Sequence, residues 1–97
     1  MHVLRIEHPI RDFDTWKGAF DRFSDLRQQS GVRRYRVLRP IDDPNYIMID
    51  LEFDSPSEAE SFLAALWHNV WSSREAAPAL LGEPQTRIVE AGEIKEY

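Results

Sequence analysis

Histidine is the side chain whose unperturbed pKa lies closest to neutral, and this sequence has three histidines, His2, His8 and His68. His8 follows Glu7 and precedes Asp12, so it could form an acid–base pair with either carboxylate at the mouth of a pocket. The alternative is an ordinary histidine at the end of a strand. If catalysis occurs, we expect His8 to move a proton.

Metal and thiol chemistry find no support in the sequence. His2 and His8 lie too far apart along one strand to share an ion, and no HExxH motif, paired-histidine spacing or carboxylate cluster occurs. The chain has no cysteine, which excludes disulfides and thiolate nucleophiles. No glycine-rich phosphate loop or nucleophile elbow is present either. We therefore expect no metal site.

In the stretch YIMIDLEF, residues 46–53, the apolar residues Ile47, Ile49, Leu51 and Phe53 alternate with a second, mostly polar set. This period of two predicts a strand with one apolar and one polar face. The polar face is expected to carry Tyr46, Met48, Asp50, Glu52, Arg5, Glu7, Arg34 and Arg36. Arg34 or Arg36 could bind an anionic or hydroxylated ligand there, and Tyr46 could orient it. The alternative is a set of structural ion pairs at a dimer interface or on a solvated sheet.

Two tryptophans, Trp67 and Trp71, lie outside the apolar stripe predicted for the second helix. That stripe cannot bury them, so we expect another element to cover them. The apolar stretch 76–81 or a second subunit could do so. Trp67 and Trp71 are therefore candidates for the wall of a ligand pocket or for an interface.

The elements that position these residues follow from local signals. Strands are predicted at 2–8, 32–39, 46–53 and 85–91, and a first helix runs from Asp12 or Asp14 to about Gln29. The second helix begins at the capping box Ser55-Pro56-Ser57-Glu58. The order β-α-β-β-α-β predicts an α+β, ferredoxin-like sandwich, in which two helices cover one face of a four-stranded antiparallel sheet. Residues 1–97 are expected to form a single domain.

Charge and hydropathy indicate which classes of partner the protein can bind. The formal net charge of -5 argues against nucleic acid, even though Arg33, Arg34, Arg36 and Arg39 lie close together. No apolar run approaches the ~20 residues that a membrane span requires, and no signal segment is evident at the N-terminus. We expect a cytoplasmic protein that binds neither nucleic acid nor membrane.

The stretch Gly31 to Leu63, GVRRYRVLRPIDDPNYIMIDLEFDSPSEAESFL, resembles the dimeric α/β-barrel superfamily. The resemblance extends over the first strand and helix and is nearest to small stand-alone proteins related to antibiotic biosynthesis monooxygenases, many without an assigned activity. It implies a homodimer with sheets packed face to face, a pocket between sheet and helices, and chemistry without an added cofactor. Haem-degrading relatives use an Asn, a Trp and a His; Trp67 matches the Trp, but the other two have no counterpart, so we reject haem degradation.

These observations lead to two hypotheses. In the first, a homodimer binds a small organic molecule in the sheet–helix pocket and acts as a monooxygenase-like or isomerase-like enzyme. His8 and Tyr46 would be catalytic, and Arg34, Arg36, Trp67 and Trp71 would bind the ligand. In the second, the chain is a non-catalytic dimerisation or ligand-sensing module.

Overall fold

A computed structural model describes all residues from Met1 to Tyr97. Its elements in chain order are β1 (His2–Pro9), α1 (Phe13–Arg22), α2 (Ser24–Gln29), β2 (Arg34–Leu38), β3 (Tyr46–Phe53), α3 (Pro56–Ala65), a π-helical turn (Leu66–Val70) and β4 (Gln85–Glu90). The strands form one antiparallel sheet in the order β2-β3-β1-β4. The predicted ferredoxin-like α+β fold is confirmed.

The sheet has two chemically different faces, as the alternation in β3 predicts. Ile47, Ile49, Leu51 and Phe53 are each at most 4% exposed and point toward the helices. Leu4 and Ile6 of β1 join them, in register with Leu51 and Ile49. Strand side chains alternate between faces, so their neighbours must occupy the side away from the helices, which we call the open face.

The first predicted helix is two helices, with the break at Phe23. Phe23 has φ -100° and ψ 19°, outside regular helical geometry, and its N–H donates to the carbonyl of Phe20 at 3.2 Å. The bond spans three residues instead of four, which tightens the chain locally before α2 begins at Ser24. The prediction of one continuous helix is therefore wrong. Phe23 and, one turn later, Arg27 both reach the space between helices and sheet.

The second predicted helix is α3, and it begins as predicted. Ser55 Oγ accepts from the Glu58 N–H at 3.3 Å and lies 3.2 Å from the Glu58 carboxylate, which is the geometry of a capping box. Its end differs from a regular helix, because the Trp71 N–H donates at 2.8 Å to the carbonyl of Leu66, five residues earlier. This wider turn places Val70 in the core and leaves Trp71 half-buried, while Trp67 stays 38% exposed.

An irregular segment, residues 72–84, joins the π-helical turn to β4. It is held against the end of β1 by bonds from the Arg11 N–H to the Ala79 carbonyl at 2.9 Å and from the Leu81 N–H to the Pro9 carbonyl at 3.3 Å. Ala79 is 1% exposed and belongs to the core. None of the helices reaches the length and apolar character that a bilayer span requires.

Candidate functional site

A cavity of about 70 Å³ lies between the sheet and the helices. Fifteen of its 18 lining residues are hydrophobic, and only His8 and Arg27 bring polar side chains to it. The sheet forms its floor, α1 and α2 form one wall, and the irregular segment Ala76–Leu80 closes another. Polar groups in so apolar a space have few competing partners, so they define what the cavity can bind.

His8 lies on β1 on the side of the helices and is 3% exposed. Its Nδ1 is 2.9 Å from the Pro9 carbonyl, so a proton on Nδ1 satisfies that oxygen and leaves Nε2 as the basic nitrogen. Nε2 has no hydrogen-bond partner within the chain. Burial lowers the pKa of His8 below its ordinary value of 6.5, although the bond to Pro9 acts in the opposite direction. His8 is therefore a neutral base at pH 7.

Neither carboxylate considered as a partner reaches His8. Glu7 lies on the open face and accepts from the Tyr46 hydroxyl at 2.7 Å. Asp12 caps α1 by accepting from the Thr15 N–H at 2.7 Å, and this bond lowers the pKa of Asp12. The acid–base pair with Glu7 or Asp12 is not formed, because successive strand residues point to opposite faces and the cap holds Asp12 at the helix start.

Arg27 was not singled out from the sequence, yet it is the only buried arginine, at 5% exposure. Its Nη1 donates to the Phe20 carbonyl at 2.6 Å, and its guanidinium carbon lies 3.7 Å from the centre of the Phe20 ring. Burial lowers the pKa of Arg27, but a guanidinium stays protonated in proteins. A signal for its burial exists in the sequence. Arg27 stands seven residues after Phe20 and four after Phe23, a spacing that places it on the apolar side of the helix.

The two tryptophans lie at different distances from the cavity. Trp71 lines it, as does the apolar stretch that was expected to cover it. Trp67 lies outside and contacts Trp71 edge-on, with ring centres 4.8 Å apart. Trp71 is thus placed to touch a ligand in the cavity, and Trp67 is placed to support Trp71.

Arg34, Arg36 and Tyr46 lie on the open face and do not reach the cavity. Arg34 pairs with Glu52 at 2.6 Å, and Arg36 pairs with Asp50 at 2.9 Å. Asp50 also accepts from Arg5 at 2.8 Å and is only 7% exposed although it faces away from the helices. Tyr46 donates to Glu7, and this bond raises the pKa of Tyr46. The sheet therefore separates His8 from Tyr46, and the two cannot act on one small ligand in the same subunit.

Solved structures share this architecture. A protein from Deinococcus radiodurans, provisionally named an antibiotic biosynthesis monooxygenase, is 13% identical with a TM-score of 0.65, covering 100% of this chain and 98% of that one. Another antibiotic biosynthesis monooxygenase is 12% identical with a TM-score of 0.68, covering 96% and 100%. The chain has the fold of these proteins. The resemblance predicted from the sequence is thereby confirmed at the level of fold.

A third structure bears on assembly. A protein from an uncultured marine organism, described as a dimeric ferredoxin-like protein, is 9% identical with a TM-score of 0.64, and each chain covers 100% of the other. No protein-family model and no curated protein matches the sequence. At identities this low the likeness concerns the fold, so the chemistry must be argued from the residues of this chain.

Proposed function

We propose that this protein binds a small, largely apolar organic molecule in the sheet–helix cavity and that His8 transfers a proton to or from it. The observation that carries the proposal is the free Nε2 of a buried, neutral histidine at a cavity lined almost entirely by apolar groups. Because an apolar lining excludes water, water does not compete with this base for the substrate proton.

The proton step is common to the two reaction classes of the first hypothesis, isomerase-like and monooxygenase-like. Nε2 would accept a proton from a carbon next to a carbonyl, or from a phenol, and the electron pair would remain on the substrate as an enolate or phenolate. In an isomerase-like reaction the imidazolium returns the proton to a different carbon. In a monooxygenase-like reaction a phenolate carbon bonds to one atom of dioxygen and the O–O bond then breaks. The second oxygen atom leaves as water, with the imidazolium proton and the hydrogen lost from that carbon, and the phenol becomes a quinone.

The cavity must widen to admit such a ligand. An apolar cavity of roughly 150 Å³ accommodates one benzene ring, whereas this one measures about 70 Å³. We propose that the segment Ala76–Leu80 moves, since it lies in irregular structure and two backbone bonds, from Arg11 and Leu81, hold it to the end of β1. The small volume also favours a second candidate, a non-catalytic module whose own side chains fill its core.

A ligand screen by thermal shift tests the first proposal against the second. A compound at about 100 times its Kd stabilises the native state by ~2.7 kcal/mol, which would raise the melting temperature by several degrees. Small aromatic and unsaturated carbonyl compounds are the first set to examine. We expect the substitution Ala79→Leu, which fills the cavity, to abolish the shift.

The control for cavity filling is Ala64→Leu, on the exposed side of α3. It adds the same atoms outside the cavity and should leave the shift unchanged. Ala79→Leu is expected to cost about 1–3 kcal/mol through overpacking, so its melting temperature without ligand must be recorded first. Equal ligand shifts in both variants would place binding outside the cavity and remove the proposal.

We further propose that the open face is the interface of a homodimer. Ion pairs of Asp50 with Arg5 and Arg36 lie at its centre, and apolar side chains such as Val3, Met48 and Leu38 surround them. The description of one structural neighbour as dimeric supports this assembly. Two such faces, packed together, would remove Asp50 from the remaining solvent while keeping its charge paired.

The substitution Met48→Arg should break the dimer. Met48 is half-buried on the open face, and an added arginine there would bring a further positive charge and extra volume to the contact. Truncating or disrupting a central interface residue costs about 2 kcal/mol or more, so we expect the dimer Kd to rise by at least ~30-fold. Light scattering over a concentration series measures this. Ile41→Arg, at the fully exposed hairpin, should stay dimeric; a wild type that is monomeric at micromolar concentration would contradict the assembly.

A further inference from the structure

The Arg27 guanidinium is a buried cation without a carboxylate partner. Five other arginines pair with Asp or Glu, and those without such a pair, Arg22, Arg39, Arg74 and Arg87, are exposed to solvent. Arg27 alone is both buried and unpaired. A buried charge is costly unless it is paired, so its position in the core of a small protein calls for a compensating group.

The chain supplies only part of that compensation. The Phe20 carbonyl accepts one of the five guanidinium N–H bonds, and the Tyr35 side chain is a further polar contact. The rings of Phe20 and Tyr35 lie 3.7 and 5.1 Å from the guanidinium carbon and cover its flat surface. Stacking of this kind leaves the edge of the guanidinium, where the donors lie, available for in-plane bonds. Arg27 lines the cavity, so the guanidinium donors that these groups do not use lie at its wall.

We infer that the ligand is a small aromatic or unsaturated carboxylate, whose carboxylate oxygens bind the edge of the Arg27 guanidinium while its apolar body lies against Trp71 and Phe23. This inference rests on the proposed function, since it concerns the same cavity. A guanidinium and a carboxylate are planar and match in a two-point contact. The rest of the lining is apolar, which favours a ligand with a single charged end.

This assignment differs from the one that the sequence suggested. Arg34 and Arg36 were the candidates for anion recognition, and each already has a carboxylate of its own. Both side chains are also more than 60% exposed, so an anion bound there would share the guanidinium with that carboxylate and with water. Arg27 is buried and has no carboxylate partner, so an entering anion would gain more from it.

Carboxylates paired with their own amides give the direct test. Benzoate, cinnamate and phenylacetate would each be titrated beside the corresponding neutral amide, with tryptophan fluorescence and calorimetry as readouts. A hydrogen-bonded charge contact contributes about 1.5–3 kcal/mol, so wild type should bind each carboxylate at least ~10-fold more tightly than its amide. The substitution Arg27→Met should remove that difference and leave the amide affinity within about threefold.

The control variant is Arg87→Met, which removes an exposed arginine of β4 on the open face, outside the cavity, and should change neither affinity. If Arg27→Met does not fold, Arg27→Lys keeps the charge but loses the planar fork, and it should reduce carboxylate affinity selectively.

The comparison of each carboxylate with its amide in wild type tests the inference without any variant. Equal affinity for carboxylates and amides would overturn this inference while leaving the cavity proposal standing. If only neutral compounds bind, and Ala79→Leu abolishes their binding, this inference is wrong and the cavity proposal still holds. If no carboxylate of the series binds, the inference is also wrong.

Discussion

The substitution Phe53→Ala should lower the free energy of unfolding by about 3–5 kcal/mol, the range for removing a buried aromatic side chain. Phe53 is fully buried at the end of β3, and its ring centre lies 5.7 Å from that of Phe62 on α3. The loss in stability has two parts: the variant no longer gains the free energy of burying the ring, and a cavity remains between sheet and helix. Urea denaturation followed by far-ultraviolet circular dichroism measures it.

A matched control for this prediction is Ile41→Ala in the hairpin between β2 and β3. Ile41 is fully exposed, so its truncation should change stability by no more than about 0.5 kcal/mol. Small domains have only ~5–15 kcal/mol of total stability, and Phe53→Ala could therefore unfold much of the sample at 37 °C. A loss below about 1 kcal/mol for Phe53→Ala would mean that β3 does not present this face to the helices.

The parts of the fold that the sequence predicted are those set by backbone geometry. A strand sends successive side chains to opposite faces, so the alternation in residues 46–53 determines which residues are buried once one face is apolar. The burial of Ile47 and Ile49 follows from this rule alone. The capping box at Ser55 is likewise a local signal, because all its partners lie within four residues.

The parts that the sequence did not predict depend on packing between distant segments. Nothing in the local sequence requires the break at Phe23, or the hydrogen bond from the Trp71 N–H to the Leu66 carbonyl in the π-helical turn after α3. Both features bring residues to the cavity, Arg27 in the first case and Trp71 in the second. Arg27 was overlooked because a charged residue within an apolar helical stripe is usually taken as solvent-exposed.

The separation of His8 from Tyr46 has a consequence for function. His8 and the cavity lie on the helix side, while Tyr46, Arg34 and Arg36 lie on the open face. A role for Tyr46 in catalysis and a role for Arg34 or Arg36 in ligand binding remain predictions, and they concern a surface on the other side of the sheet from the cavity. We propose a division in which the cavity binds the ligand and the open face forms the dimer. On this view Tyr46→Phe weakens assembly through loss of the bond to Glu7.

The largest functional effect is expected from His8→Ala. Once the screen provides a substrate, this variant should reduce kcat by about 10²–10⁴-fold, the usual contribution of a positioned general base. The pH dependence provides an independent signature. Because burial lowers the pKa of His8 below 6.5, the free base predominates at neutral pH, and the wild-type rate should fall only as pH decreases below that value. The residual rate of His8→Ala should not show this fall.

His68→Ala is the matched control for the His8 experiment, because His68 is an exposed histidine on the π-helical turn and lies outside the cavity. Its kcat and pH profile should equal those of wild type. The distinction between a base and a packing residue comes from His8→Gln, which keeps a polar side chain of similar size but cannot accept a proton at this pH. If His8→Gln binds ligand with wild-type affinity and loses turnover, the imidazole acts in the proton step. If it retains both binding and turnover, His8 is a buried structural residue, and the proposal that its imidazole moves the proton is wrong.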